Sequence, residues 1–341
     1  MGADIGDLLE RDEISAKDLD GKIVAFDAFN VIYQFVTTIR GRDGQALTDT
    51  NGNITSHLAG LLYRTTSFVE SGIKPVFVFD GEPPELKAET IEKRRELRDK
   101  AHEKWKLAVE KGDTAEIYKY AQASARIDPQ VIDESKMLLS MMGIPIVESP
   151  SEGEAQAAFM LEQKSVDYVS SQDYDAFIFG APLVIRNLTV SGKRKLPGKN
   201  VYVDVAPEKV DFQKNLARLG ITKEQFIDIA LLVGTDFNKG LERVGAKTGL
   251  KLIREKGTFE AVLRSKEKED LIPEFQKAKA FFEHPPVTRD YVLRWEKADA
   301  DKMVEFLCRK RDFSDDRVLN ACQKINAARM AKKKTTLDQW F

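Results

Sequence analysis

Ile23-Val24-Ala25-Phe26-Asp27 is the stretch that decides the fold: four apolar residues that end abruptly on a carboxylate. The design recurs at Val76-Phe77-Val78-Phe79-Asp80, and Val166-Asp167-Tyr168-Val169 is followed by Asp173 and Asp175. Ile229-Ala230-Leu231-Leu232-Val233 precedes Asp236, while Glu152 and Glu154 open a helix-like stretch. Continuous apolar runs of this length read as buried strands of a parallel sheet. In open α/β sheets the functional crevice lies outside the carboxyl ends of the strands. The expected fold is α/β, a mostly parallel central sheet flanked by helices, with seven acids at one edge.

Acids gathered there repel one another unless something positive sits among them. Divalent cations answer that need, and a pair of hard ions roughly 3.5–4 Å apart is a common engine of phosphodiester hydrolysis. Each acid also has a structural explanation. Asp27 can cap the helix starting at Ala28, Asp80-Gly81 is a turn dipeptide, and Asp173, Asp175 and Asp236 can make Asx turns or caps. Ser149-Pro150-Ser151-Glu152 and Ser151-Glu152-Gly153-Glu154 read as overlapping capping boxes. Seven unrelated caps at one sheet edge is the weaker account, so the combined reading is a metal-dependent nuclease. Mg²⁺ takes one or two carboxylates directly and keeps several waters, so these acids suffice for two ions. Only three histidines occur, none beside the acids, which disfavours zinc.

Working outward, residues 22 to about 80 read as strand, helix, helix, strand, with a long amphipathic helix from Ser56. Pro83-Pro84 breaks the chain, and Glu85 to Arg126 is helix-forming, dense in charge and poor in apolar residues. Such helices contribute little core and should stand off the body. The βα pattern resumes at Val131, with strands at Ile144-Val147, Val166-Ser170, Leu183-Ile185 and Val201-Val205 and helices from Glu152 and Pro207. A helical module runs from about Gly220 to Leu263, and Pro285-Pro286 precedes a final helical portion.

At 341 residues the chain can bury a full core and add a second module, and its net charge of −2 can hide a separated basic surface. Cys308 and Cys322 lack a metal-ligand companion pair and read as buried free thiols of a reducing cytosol. Neither a signal peptide nor an apolar run of ~20 residues is evident, so a soluble cytoplasmic protein is expected. Met1-Gly2 begins like a myristoylation signal, but Gly6 stands where Ser or Thr belongs.

The basic residues divide. Lys87, Arg94 and Arg98 share a helical face, where cations could offset charge developing on a phosphate. The interleaved Glu89, Glu92, Glu96 and Asp99 favour instead a solvated face laced with ion pairs. Gly240 to Gly249, just after Asp236, can open a helix onto a phosphate. In the tail, Leu337, Trp340 and Phe341 have the spacing of an apolar plug for a partner's pocket.

Phe26-Asp27-Ala28, Ile73 to Gly81, Pro150-Ser151-Glu152-Gly153-Glu154-Ala155, Ser171-Gln172-Asp173-Tyr174-Asp175 and Val233-Gly234-Thr235-Asp236 closely resemble the flap endonuclease family, archaeal type, over the whole chain. The resemblance implies a PIN-like nuclease core and a structure-specific 5′ flap endonuclease with 5′→3′ exonuclease activity. Its setting would be Okazaki-fragment maturation and long-patch base-excision repair. Carried over residue by residue, Asp27, Asp80, Glu152 and Glu154 match one metal site, and Asp173, Asp175 and Asp236 the other. Two Mg²⁺ are implied, replaceable by Mn²⁺. Lys87 and Arg94 match a catalytic basic pair in a helical gateway, which reverses the preference for a solvated face. Asp80, Glu152 and Asp173 are counted with them as catalytic. Tyr33 matches a base-stacking aromatic and Arg40 a strand-contacting arginine, while Gly2 resembles an amino terminus close to the DNA. Gly234, Asp236, Gly245 and Lys247 are implied in duplex contact, with K⁺ as a candidate ion there.

The implied organisation is a nuclease region over 1–105, including the start of the gateway near 83, the rest of the arch over 106–130, and internal nuclease sequence over 131–219. A helix–two-turn–helix module follows over 220–263, a helical region over 264–328 and a sliding-clamp (PCNA) tail over 329–341. A monomer is expected. Two departures stand out. Arg243 occupies the first glycine of the family's Gly-x-Gly, with Gly249 at a usual alanine, and Lys334 replaces the glutamine that usually begins the clamp motif. The alternatives are a related gap or bubble endonuclease, a phosphatase, and a non-catalytic DNA-structure binder. A phosphatase would not need the gateway bases, and a binder would be expected to lack several of the acids.

Overall fold

A computed structural model describes residues 3–41, 44–190, 193–195 and 202–338, with backbone only for 193–195, 202–204 and 332–338. Its elements are β1 (Asp12–Glu13), β2 (Ile23–Asp27), α1 (Ala28–Thr38), α2 (Ser56–Glu70), β3 (Lys74–Phe79), α3 (Ala88–Lys111), α4 (Thr114–Ala123), α5 (Pro129–Met141), β4 (Ile146–Glu148), α6 (Gly153–Glu162), β5 (Tyr168–Ser170), α7 (Asp175–Ile178), β6 (Leu183–Arg186), β7 (Lys193–Lys195) and β8 (Tyr202–Asp204). Then follow β9 (Glu208–Asp211), α8 (Phe212–Leu219), α9 (Lys223–Val233), α10 (Ala246–Lys256), α11 (Phe259–Ser265), α12 (Ile272–Glu283), α13 (Ala300–Met303), α14 (Arg309–Arg311) and α15 (Asp315–Asp338).

Seven strands form one sheet in the order β1-β9-β6-β5-β2-β3-β4. Pairings β4–β3–β2–β5–β6 are parallel, and β9 closes that edge antiparallel to β6 and β1. The expected mostly parallel α/β sheet is present. Strand order reverses beside β2, since β3 follows on one side and β5 on the other, which makes the β2/β5 end a topological switch point.

Side-chain alternation explains the two layers. Val24, Phe26, Phe77 and Phe79 point into a core shared with α1, α2, α5 and the C-terminal helices. Ala25, Val76 and Val78 point into a second core with α6 through α12. Phe26 stacks on Phe77 at 5.2 Å and on Phe68 at 4.9 Å. Truncating such a buried ring costs about 3–5 kcal/mol. The second layer is tied on by residues 284–299, a strap without helix or strand. Gln156 exchanges two hydrogen bonds with Thr288, and the Trp295 indole donates to the Pro75 carbonyl.

Three expectations need correction. Ile229–Val233 is not a strand but the end of α9, nucleated by a Thr222/Gln225 capping box. A short fully apolar run has no periodicity, so burial on all sides looks alike in either structure. The helix expected from Pro207 is preceded by β9, and α8 begins at Phe212 under an Asp211 cap. The 201–205 run contributes β8, which pairs with β7 outside the main sheet.

The arch is as expected. Over its 24 residues α3 buries only Ala101 and Ala108, and it packs against α4, which reaches back to α1. Lys93–Glu89, Lys100–Glu96 and Lys106–Glu103 pair along its surface. Both cysteines are buried and free. Among the described residues no helix is long and apolar enough to cross a membrane.

Candidate active site

Each strand end delivers its acid by the same logic. β2 ends on Asp27, which N-caps α1: its Oδ1 accepts the Asn30 N–H at 3.1 Å. Capping and site placement are one arrangement here rather than rivals. Asp80 follows β3 and accepts the Gly153 N–H at 2.5 Å, which joins the β3 exit to the start of α6. A Cβ on Gly81 would overlap the Ser149 carbonyl, so only glycine lets these two exits close. Neither expected capping box forms: Glu152 is the N-cap of α6 and makes no side-chain cap bond. Ser149 bonds within its own loop instead, and Glu152 and Glu154 turn toward the cleft.

Sequence reasoning missed the residues that orient these acids. Ser171 donates to Glu154 at 2.6 Å and accepts the Asp173 N–H at 3.1 Å. Asn30 donates its side-chain amide to Asp173 at 3.0 Å. The Ala3 N–H reaches Asp175 at 2.9 Å, from 172 residues away. Ser171, two positions before Asp173, and Asn30, three after Asp27, carried a local signal; Ala3 carried none.

Asp236 arrives from the turn after α9 and is buried. Two cations cross to the acids from the arch. Lys87 Nζ lies 2.6 Å from Glu152 and 3.7 Å from Asp236, and Arg94 Nη2 donates to Asp236 at 2.5 Å. The gateway pair is therefore drawn to the acids, and the solvated-face reading holds only for Lys93 and its neighbours. Lys239, beside Asp236, also reaches the arch through Glu89 at 2.7 Å.

Electrostatics marks the cluster. Burial, then the neighbouring Asp80, pushes Asp27 up to about 8. Burial and Asp236 raise Asp175 to about 7, and burial and Glu152 raise Asp80 to about 6. Glu154 is held well above the carboxylate range by burial and by Asp175. Burial works to lower Lys87, but Glu152 and Asp236 outweigh it and raise it. Among the described residues no three His, Cys, Asp or Glu side chains are drawn together into a coordination shell. The donor set is nonetheless all hard oxygen, and four of its members are penalised for carrying charge in isolation. That is what a hard divalent cation relieves, so the residues fit one.

The remaining candidates lie on α1 and the turn after it and around α9 and α10. Tyr33 stands 41% exposed on α1, available for stacking. Arg40 donates to the carbonyls of Thr37, Gly44 and Ala121, bracing the turn after α1 against the arch. Gly234 ends α9 at φ 105°, Gly245 N-caps α10, and exposed Lys247 lies 3.6 Å from Asp7. Arg243 sits at φ 61°, the left-handed region glycine enters freely. Gly249 lets α10 press on α9, where a Cβ would meet Ile229 at 3.2 Å. Gly2, Trp340 and Phe341 lie outside the described residues; Leu337 is described only as backbone of α15.

Two family models match, the XPG N-terminal domain over residues 7–101 and the XPG I-region over 143–236. The chain is 54% identical to flap endonuclease 1 of Methanosarcina acetivorans, over all of both chains. Among solved structures it is similar to flap endonuclease-1 from Methanococcus jannaschii, with 40% identity, a TM-score of 0.77, and 97% of this chain and 100% of that one covered. The fold also matches the catalytic core of Rad2 in complex with DNA substrate, at 23% identity and a TM-score of 0.69 over 94% of this chain and 97% of that one.

Proposed function

This chain belongs to the flap endonuclease family of metal-dependent DNA nucleases, and from that premise we propose how its residues divide the work of cutting a 5′ flap. Asp27, Asp80, Glu152 and Glu154 would hold one Mg²⁺, and Asp173, Asp175 and Asp236 a second, with Mn²⁺ able to replace either. When bound, the ions activate an attacking water and offset charge on the leaving oxygen.

The chain's own part is placement and charge. Lys87 and Arg94 reach the acids from the arch, so a phosphate entering between arch and sheet meets both cations. They exchange carboxylate partners for phosphate oxygens and offset the charge that grows as the bond breaks. Tyr33 stacks on a base beside the scissile phosphate. The first turn of α10, with Gly245 and Lys247, takes a duplex phosphate through backbone N–H groups, and K⁺ is the ion proposed there. A single chain supplies all of these groups and acts as a monomer. The products serve Okazaki-fragment maturation and long-patch base-excision repair.

The observation that carries this reading is the meeting of acids from strand ends and helix starts with two cations from an otherwise solvated arch. A 5′-labelled double-flap DNA tests it. Cleavage near the flap junction is expected in Mg²⁺ and none in EDTA, with blunt duplex a poor substrate. Equal cutting of both DNAs would overturn it.

The tail, through Leu337, Trp340 and Phe341, is proposed to dock the sliding clamp (PCNA), supported by the spacing of those residues in the sequence. Deleting 335–341 removes none of the acids or gateway bases, so turnover without clamp stays normal while clamp stimulation disappears. Calorimetric titration against the clamp decides it: equal affinity with and without the tail removes the assignment.

A further inference from the structure

Arg186 ends β6, beside the turn through which the chain leaves β5 toward Asp173 and Asp175. Nothing in its own neighbourhood of sequence announces a role. Its guanidinium fork is nevertheless committed to that turn. Nη2 donates to the Gln172 carbonyl at 3.0 Å, and Nη1 donates to the Tyr174 hydroxyl. Its plane also lies over the Tyr174 ring, 4.3 Å from the centroid.

Tyr174 stands between the two acids. It is gripped from the N-terminal segment as well: Arg11 lies 5.8 Å from the ring centroid and donates to the Gly6 carbonyl at 3.3 Å. A Cβ on Gly6 would overlap the Tyr174 ring, so the segment lies directly against it. That same segment presents the Ala3 N–H to Asp175. One stack thus fixes the residue between the acids, the carbonyl before them and the donor to one of them.

We propose that Arg186, with Tyr174 as its lever, is a positioning residue that fixes the Asp173–Asp175 turn for divalent-cation binding and hence for cleavage. This rests on the metal assignment made above. Groups that orient ligands from outside the coordination shell typically contribute 10–100-fold in metal affinity. Arginine is required for geometry as well as charge. Only a planar fork can bond a carbonyl and a hydroxyl while lying on a ring; a lysine keeps the cation and a single bonding point.

The test is calorimetric titration of Mg²⁺ into the full-length, DNA-free protein, followed by single-turnover cleavage over a range of Mg²⁺. Arg186→Met should bind Mg²⁺ about 10–100-fold more weakly, and Arg186→Lys should fall between it and the parent. Flap-DNA affinity in EDTA should not change. Raising Mg²⁺ should restore the cleavage rate of Arg186→Met, a rescue that general loosening of the fold would not show. A folded Arg186→Met with the parent's Mg²⁺ affinity, or a rate that added Mg²⁺ does not restore, overturns the proposal. Should Arg186→Met fail to fold, Tyr174→Phe decides. It keeps the ring and loses the acceptor, so weaker Mg²⁺ binding supports the lever and unchanged binding overturns it. Asp173→Ala separates the two levels: if it too binds Mg²⁺ normally, the metal assignment fails first.

Discussion

Two buried acidic clusters in this protein have their acids shifted in opposite directions. At the strand ends, burial and mutual repulsion lift Asp27, Asp80, Glu154 and Asp175 above the carboxylate range. Beneath the C-terminal helices, Asp49 and Glu134 are also sheltered yet are both pulled down. Burial raises them too, but is outweighed: Asn53 and Asn51 donate to Asp49, Gln130 and Arg311 to Glu134. Arg311 Nη2 is 2.5 Å from Glu134, and its Nη1 is 3.5 Å from Asp49. His57, 3.4 Å from Glu134, is driven down to about 4 by burial and stays neutral. The rear cluster brings its own cation and donors. In the front cluster Lys87 reaches Glu152 and Asp236 and Arg94 reaches Asp236, yet burial and like charges still outweigh what lowers Asp27, Asp80 and Asp175. Burying an acid therefore does not by itself mark a site; gathering several that stay under-compensated is what sets the front cluster apart.

The contrast can be broken most forcefully at the front. Asp80→Ala or Asp173→Ala is expected to lower cleavage by more than about 10³-fold, beyond the 10–100-fold cost of losing an outer partner. Flap binding should persist, because phosphate contacts are spread over the surface. Single-turnover cleavage beside a binding titration measures both, and full activity from either variant would sink the two-ion assignment.

Lys87→Ala and Arg94→Ala should come next, with single-turnover rates down roughly 10²–10³-fold and affinity little changed. A group acting on transition-state charge shows itself in the chemical step. Weakened binding at a normal rate would return these residues to the solvated face.

At the rear, Arg311→Ala leaves Glu134 and Asp49 without their guanidinium. The expected cost is about 2–3 kcal/mol of stability, below the 3–5 of a fully buried pair because the arginine is partly accessible. Its rate at saturating DNA should fall far less than that of Lys87→Ala. Denaturant melts check the first claim, and an unchanged midpoint would show that the rear pair is not needed for stability.

The pH dependence differs in sign between the clusters. Asp27, Asp175 and Asp80 have raised pKa values, so their contribution to metal-free stability is fully present below the unfolded value and is lost as pH rises through about 6, 7 and 8. Asp49 and Glu134, with lowered values, contribute above the unfolded values and lose that contribution as pH falls through the folded ones. Because Mg²⁺ must displace the front protons, its apparent affinity should fall at least about tenfold from pH 8 to pH 6. Its thermal stabilisation should shrink in parallel. An equal thermal shift at both pH values would contradict the raised front values.

The smallest effect is expected at Arg243→Gly. Glycine relieves the left-handed strain but loosens the unfolded chain, so the net change should stay within about 1 kcal/mol. Duplex affinity measured at two salt concentrations would show whether the exposed arginine itself contributes a phosphate contact. An unchanged salt slope would mean that it does not.

Much of this was legible without coordinates. The β2 and β3 strands, the acids closing them, the arch and the family resemblance all follow from local pattern. Strand runs and solvated helices are set by a few consecutive residues, and the resemblance is carried by short blocks. Three things were not legible. Ile229–Val233 became a helix because neither periodicity nor length separates a buried helix end from a buried strand. Glu152 and Glu154 form no capping boxes, because Ser149 bonds within its own loop while Lys87 and Ser171 engage the two carboxylates in three dimensions. The fork of Arg186, the Ala3 N–H on Asp175 and the crossing of Arg94 to Asp236 join residues 12 to 172 positions apart. The sequence by itself determined which acids and cations are the candidates for the site. Only the tertiary structure decided what holds them in place, because a side chain's partner across such distances depends on how strands and helices pack.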